Sequence, residues 1–135
     1  MAVDLFKDFA TNLAAEEEGV WEEYGEGVAF LIARANNKKY NRQFTKGYEK
    51  NKRLFDSKTD AADSKAEEFM VDLGARTLLL GWRGPLNWDG VPMGDYSVEK
   101  AQKMLAIKDF RAWVLEKAGD IDRYKAAQKD EDAGK

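Results

Sequence analysis

Apolar residues along this chain change their spacing from one stretch to the next, and those changes mark the elements. Leu5, Phe6, Phe9 and Leu13 fall at helical intervals, which predicts a short amphipathic helix over residues 3–15. After an acidic run the pattern becomes strand-like. Val20–Tyr24 and Val28–Arg34 flank Gly25-Glu26-Gly27, which reads as a β-hairpin with Val28, Phe30 and Ile32 turned to the core and Trp21 and Tyr24 covering the second strand. Asn36-Asn37 then caps a helix bearing Tyr40, Phe44 and Tyr48 on one face. The longest helix follows, with Ala62, Ala66, Phe69, Met70, Leu73, Thr77 and Leu80 on one side, from a cap at Thr59 or Asp60 to Gly81.

Residues 81–96 hold Gly81, Gly84, Gly90, Gly94 and both prolines, and read as a shaped loop with Trp82 and Trp88 embedded in it. Ser97 caps a helix with Val98, Ala101, Met104 and Leu105, and a further helical pattern runs through Ile107, Phe110, Trp113 and Val114 to Gly119. Ile121 and Tyr124 suggest a terminal helix. The fold class expected is therefore α+β and mainly α-helical, an amino-terminal β-hairpin packed against four to six helices. Residues 1–128 form a single domain, and 129–135 a frayed polar tail.

The 135 residues include neither Cys nor His, which removes disulfides, thiolate or imidazole metal ligands, cysteine nucleophiles and histidine bases. No cofactor or metal site is predicted, and no enzymatic activity. Nothing resembles a membrane span, and Met1-Ala2-Val3-Asp4 lacks the basic and apolar regions of an export signal, so the chain reads as intracellular. The net charge of −3 conceals an uneven distribution. Residues 1–36 carry eight acids against Lys7 and Arg34, a balance of −6, whereas residues 37–58 carry eight cations against Glu49 and Asp56, a balance of +6. Such segments either pair within one copy or attract between copies. Lys46, Lys50 and Arg53 are the residues expected to promote self-association into a homo-oligomer.

Other candidate chemistry fails on spacing. Asn87-Trp88-Asp89-Gly90 looks like the interior of a calcium loop, but Pro85 then stands at the first ligand position and Tyr96 at the last. Gly25-Glu26-Gly27 and Gly81-Trp82-Arg83-Gly84 lack nucleotide-binding spacing and read as turns. Glu68 and Asp72 share a helix face, but the same acid spacing occurs on many exposed helices, and a metal site there would lack any His. The basic stretch around Tyr40, Phe44, Tyr48 and Phe55 has the residue types of a nucleic-acid surface, cations for phosphates and rings for bases, but aromatics confined to one helical face are expected to be buried while the lysines solvate the opposite side, which disfavours nucleic-acid binding.

One ordered series of motifs is more specific. Gly81-Trp82-x-Gly84, Asp89-Gly90-x-Pro92, Tyr96-Ser97-x-Glu99-x-Ala101 and Met104-Leu105 resemble the central signature of tail assembly chaperones from long-tailed, siphovirus-type bacteriophages. Gly19-Val20-Trp21, Tyr24-Gly25, Ala33-Arg34-Ala35, Asn36-Asn37 and Tyr40 resemble that family's amino-terminal half, and Asp109 to Val114, Ala118-Gly119-Asp120 and Tyr124 its end, so the resemblance spans about residues 15–125. It implies a non-enzymatic protein of the host bacterial cytoplasm. Such a protein binds the tape measure protein, helps recruit tail tube subunits, self-associates, and is absent from the mature virion. The alternatives are a structural component retained in the tail or head, or a small nucleic-acid-binding protein. Trp82 is expected to anchor the glycine-rich loop, and Trp88, Val91 and Met93 to contact the partner, since apolar residues in a turn-rich segment are hard to bury.

Overall fold

The computed structural model describes residues 2–125, and the tail at 129–135 lies outside the described residues. Six helices and two small antiparallel sheets make the chain α+β and mainly helical among the described residues. In order they are α1 (Leu5–Phe9), α2 (Leu13–Glu18), β1 (Val20–Gly25), β2 (Val28–Ile32), α3 (Lys38–Asp56), α4 (Asp60–Thr77), β3 (Leu79–Arg83), β4 (Asn87–Trp88), β5 (Val91–Pro92), α5 (Val98–Leu105) and α6 (Lys108–Gly119). Residues 121–125 are helical as well.

The predicted hairpin forms, with Glu26 (φ 55°) and Gly27 (φ 82°) in the left-handed conformation that a two-residue turn needs. It is not alone. The stretch expected to finish the long helix and open the loop is instead a third strand, β3, paired with β2 in the order β1-β2-β3, with Phe30 opposite Trp82 and Leu31 opposite Gly81. Leu78-Leu79-Leu80 carries no period that separates helix from strand, and the open edge of β2 decides the matter by offering backbone partners. Leu79 enters the core opposite Ile32 and Trp82 packs against it opposite Phe30, while Gly81 lies under Leu31 and Trp21 on the other face, a switch made by the register shift between Leu31 and Ile32.

The first predicted helix is also revised. Ala10 is extended (ψ 135°) and Asn12 caps a new start by accepting from the Ala15 amide at 3.1 Å, so one helix becomes the two short ones α1 and α2. Asn37 is 5% exposed and does more than cap α3. Its Oδ1 accepts from the Tyr40 amide, while Nδ2 donates to the Arg34 and Thr77 carbonyls at 2.8 and 3.1 Å, which ties the end of the hairpin to both long helices.

The core lies where β2 meets the helices. Val28, Phe30 and Ile32 are buried against Val71, Ala75 and Leu78 of the α4 region, Met104 and Leu105 of α5, and Val114 of α6. Phe30 meets Phe110 and Trp113 with ring centroids 5.3 and 5.7 Å apart. The long helix α3 sits to one side and buries none of its residues fully. Tyr40, Phe44 and Tyr48 stack along it with near-parallel rings, and Phe44 and Phe55 reach Phe69 of α4. Expected to be buried, Phe44 and Tyr48 stay 36% and 37% exposed, because α4 covers only one flank of their row. Gly47 is what lets the helices approach so closely, since a Cβ there would enter the Phe69 ring.

Candidate functional site

No described helix is long and apolar enough to cross a membrane, and among the described residues no cluster of three or more acids is placed to hold a metal ion. Glu68 and Asp72, noted for sharing a helix face, are used locally. Glu68 pairs with Lys65, and Asp72 accepts from Arg76 at 2.9 Å and Gln102 at 2.6 Å. The surfaces available for function are three: the glycine-rich loop, the outer face of α3, and the amino-terminal arm.

The segment 81–96 is held by its aromatics. Trp82 is half-buried, donates from Nε1 to the Gly94 carbonyl at 2.9 Å, and meets Tyr96 edge-on with centroids 5.0 Å apart. The Tyr96 hydroxyl in turn lies 2.9 and 3.0 Å from the Ala75 and Leu79 carbonyls, where burial pushes its pKa up against the opposing pull of Arg76. Beyond Gly84 the chain forms the short β4–β5 hairpin, whose Asp89-Gly90 turn has φ 48° and 80°, so the calcium-like motif is a tight turn. The Met93 amide donates to the Leu86 carbonyl at 2.8 Å, which extends the cross-strand pairing of this hairpin past Asn87 and Pro92.

The three residues expected to meet a partner line one open groove together with Asp89, Pro92, Lys100 and Lys103, but they differ in exposure. Val91 is 64% exposed, Trp88 is half-buried beneath the Lys103 ammonium at 5.1 Å, and Met93 is 8% exposed within the core. Met93 thus packs mainly against the core, while it also lines the groove beside Trp88 and Val91. Trp88 also borders an apolar groove of about 320 Å³ lined by Tyr24, Phe30, Leu86, Met104 and Phe110.

Truncating Trp82 removes an edge-on ring contact and a hydrogen bond together. Trp82→Ala is expected to lower stability toward the bottom of the ~3–5 kcal/mol range for large aromatics, because the ring is only half-buried. Chemical denaturation checks this: an unchanged midpoint would show that the loop holds its shape without the indole.

Lys46, Lys50 and Arg53 lie on the exposed side of α3. Among the described residues the acidic and basic segments form no ion pair with one another. Glu16 pairs with Arg34, Glu22 with Lys117 and Arg123, and Glu23 with Arg83. Among the described residues none of the eight cations of residues 37–58 takes part in an ion pair.

The amino-terminal arm went unnoticed as a surface. Val3, Leu5, Phe6, Phe9 and Leu13 are between 64% and 78% exposed. The arm is moored at its base, where the Asn12 amide donates to the Tyr124 carbonyl at 3.2 Å and the Arg34 amide to the Glu16 carbonyl at 2.8 Å. Its helical spacing was visible, but spacing shows only that the apolar residues share a face, not that something covers it.

Comparison with known proteins adds one decisive finding: a model of the YdaY prophage protein family matches residues 35–135. The chain belongs to that family. It is a phage-derived protein. The match takes in α3, the loop and the carboxy-terminal helices, while the arm and the β1–β2 hairpin precede it. No curated protein and no solved structure shows a match to the chain.

Proposed function

We propose that this phage protein is a non-enzymatic tail assembly chaperone. In the host cytoplasm it binds the tape measure protein, helps recruit tail tube subunits, and leaves before the virion is complete. Two things support this beyond the prophage family: the ordered signature from Gly81 to Leu105, and above all the amino-terminal arm. A contiguous set of large apolar side chains outside a well-packed core is the mark of a protein-binding surface. A client with long apolar helical stripes must be covered during assembly and released later, and several shallow contacts suit reversible holding better than one deep pocket. The arm offers such contacts through Leu5, Phe6 and Phe9, and Val91 with the rim of the Trp88 groove offers more.

Co-expression with the tape measure protein tests the reading. The client is expected to be soluble and to copurify only in the presence of this chain. Phe6→Ser with Phe9→Ser is expected to abolish copurification while leaving the melting temperature unchanged, because neither ring touches the core. A client equally soluble alone, with no complex, overturns the proposal. Recovery of the protein from purified virions at fixed stoichiometry would replace it with a retained structural component.

A further inference from the structure

We infer that the outer face of α3 is a sequence-independent binding site for a nucleic-acid backbone. Lys39, Arg42, Lys46, Lys50 and Arg53 follow one another at intervals of three and four residues, all exposed, and so form one stripe along the helix. From first to last they span fourteen residues, or ~21 Å, about the rise of six base pairs. The stripe lies roughly a third of a turn around α3 from the half-buried flank that carries Tyr40, Gly47, Asn51 and Leu54 toward the body. Its cations are unpaired among the described residues, in a chain whose net charge is −3.

The same face settles what kind of partner it fits. Protein interfaces draw affinity from buried apolar anchors, and exposed ion pairs alone contribute only ~0–1 kcal/mol each. No apolar side chain shares the stripe. A polyphosphate needs none, because release of its condensed counterions supplies the binding free energy. The stripe itself carries no ring for base stacking, since Phe44 and Tyr48 lie on the other side of α3, stacked on each other, with Phe44 also against Phe69. The site should therefore hold phosphates without reading sequence. A second copy is poorly suited as the occupant, because the acids of residues 1–36 that form no ion pair among the described residues, Asp4, Asp8, Glu17, Glu18 and Glu26, are spread over α1 with its N-cap, α2 and the hairpin turn rather than set along one matching stripe. This inference does not depend on the chaperone proposal.

Fluorescence anisotropy of the full chain against a labelled mixed-sequence DNA duplex tests it, with single-stranded DNA and duplex RNA as parallel probes to separate the backbone sources. Binding is expected at low salt, with log K falling against log salt by up to about −4.5 for five phosphate contacts on duplex DNA. Neutralising Lys46, Lys50 and Arg53 to Gln is expected to reduce that slope to about −1.8, with thermal stability unchanged. Reversing Lys7, Lys103 and Lys108 to Glu alters net charge elsewhere and is expected to leave the slope near its original value. Absence of binding at low salt overturns the inference, as does a slope indifferent to the α3 changes. Displacement by poly-glutamate at equal charge concentration would overturn it in favour of an acidic protein segment. Sedimentation velocity covers the remaining case: a salt-sensitive oligomer dissolved by the same α3 changes, without DNA binding, would assign the stripe to contacts between copies.

Discussion

Tyr124→Ala is expected to destabilise the protein by about 3–5 kcal/mol, the range for emptying a large aromatic site. The residue lies close to the end of the described chain, yet its side chain is fully buried, and its hydroxyl donates to the Ile32 carbonyl at 3.1 Å. Its ring lies between the guanidinium groups of Arg34 and Arg123 at 5.8 and 5.4 Å, and its own carbonyl receives the Asn12 amide. Arg123 continues the clasp, donating to Glu22 at 2.8 Å, the Val20 carbonyl at 2.9 Å and the Lys117 carbonyl at 2.8 Å. One short segment thus holds the arm, both strands of the hairpin and the end of α6. Urea unfolding measures the loss directly. Tyr124→Phe, which keeps the ring but removes the donor to the Ile32 carbonyl and the acceptor that Arg123 Nη1 reaches at 3.4 Å, should cost about 1–3 kcal/mol.

The same hydroxyl has a pH signature. Burial, only partly opposed by Arg123 and Arg34, raises its pKa from the ordinary 10.0 to about 12. Below pH 10 both the folded and unfolded states keep the proton, so the group contributes no pH dependence. Between pH 10 and 12 the unfolded chain ionises first, and stability falls by roughly 2–3 kcal/mol over that window. Tyr124→Phe is expected to shrink the alkaline loss. Burial shifts Tyr40 and Tyr96 in the same direction, so some of the loss remains. An alkaline limb identical in the two proteins would show that the hydroxyl is solvated.

Gly84→Ala is the second large effect, at about 2–5 kcal/mol. Gly84 has φ +94°, and a Cβ there would run into the carbonyl oxygen of Gly27, a backbone atom that cannot rotate away. Positive φ accounts for roughly 1–2 kcal/mol and overpacking for ~1–3. Gly90→Ala provides the comparison, because Gly90 also has positive φ (+80°) but open space around it, and should incur the conformational part alone. Equal losses at the two positions would mean that the loop slides off the hairpin turn without resistance. The Gly81-Trp82-x-Gly84 motif thereby acquires a physical reason. Trp82 anchors toward Gly94 and Tyr96, and Gly84 permits backbone to lie on backbone.

Most of the local structure could be read directly from residues. Asn37, Thr59 and Ser97 each cap the helix they precede, Glu26-Gly27 turns the hairpin, and alternating Val28, Phe30 and Ile32 enter the core, because caps, turns and alternation depend on neighbours close in sequence. The absence of Cys and His likewise limits the available chemistry whatever the fold. Three features belonged to tertiary structure alone. Leu79–Arg83 became a strand because β2 presents an open edge from nearly fifty residues away. Met93 is buried and Val91 exposed because of how the β4–β5 hairpin lies against the core, which no spacing encodes. The apolar residues of the arm stayed exposed while the cations of α3 stayed unpaired, since periodicity assigns residues to a face, and only the packing of distant elements determines whether that face is covered.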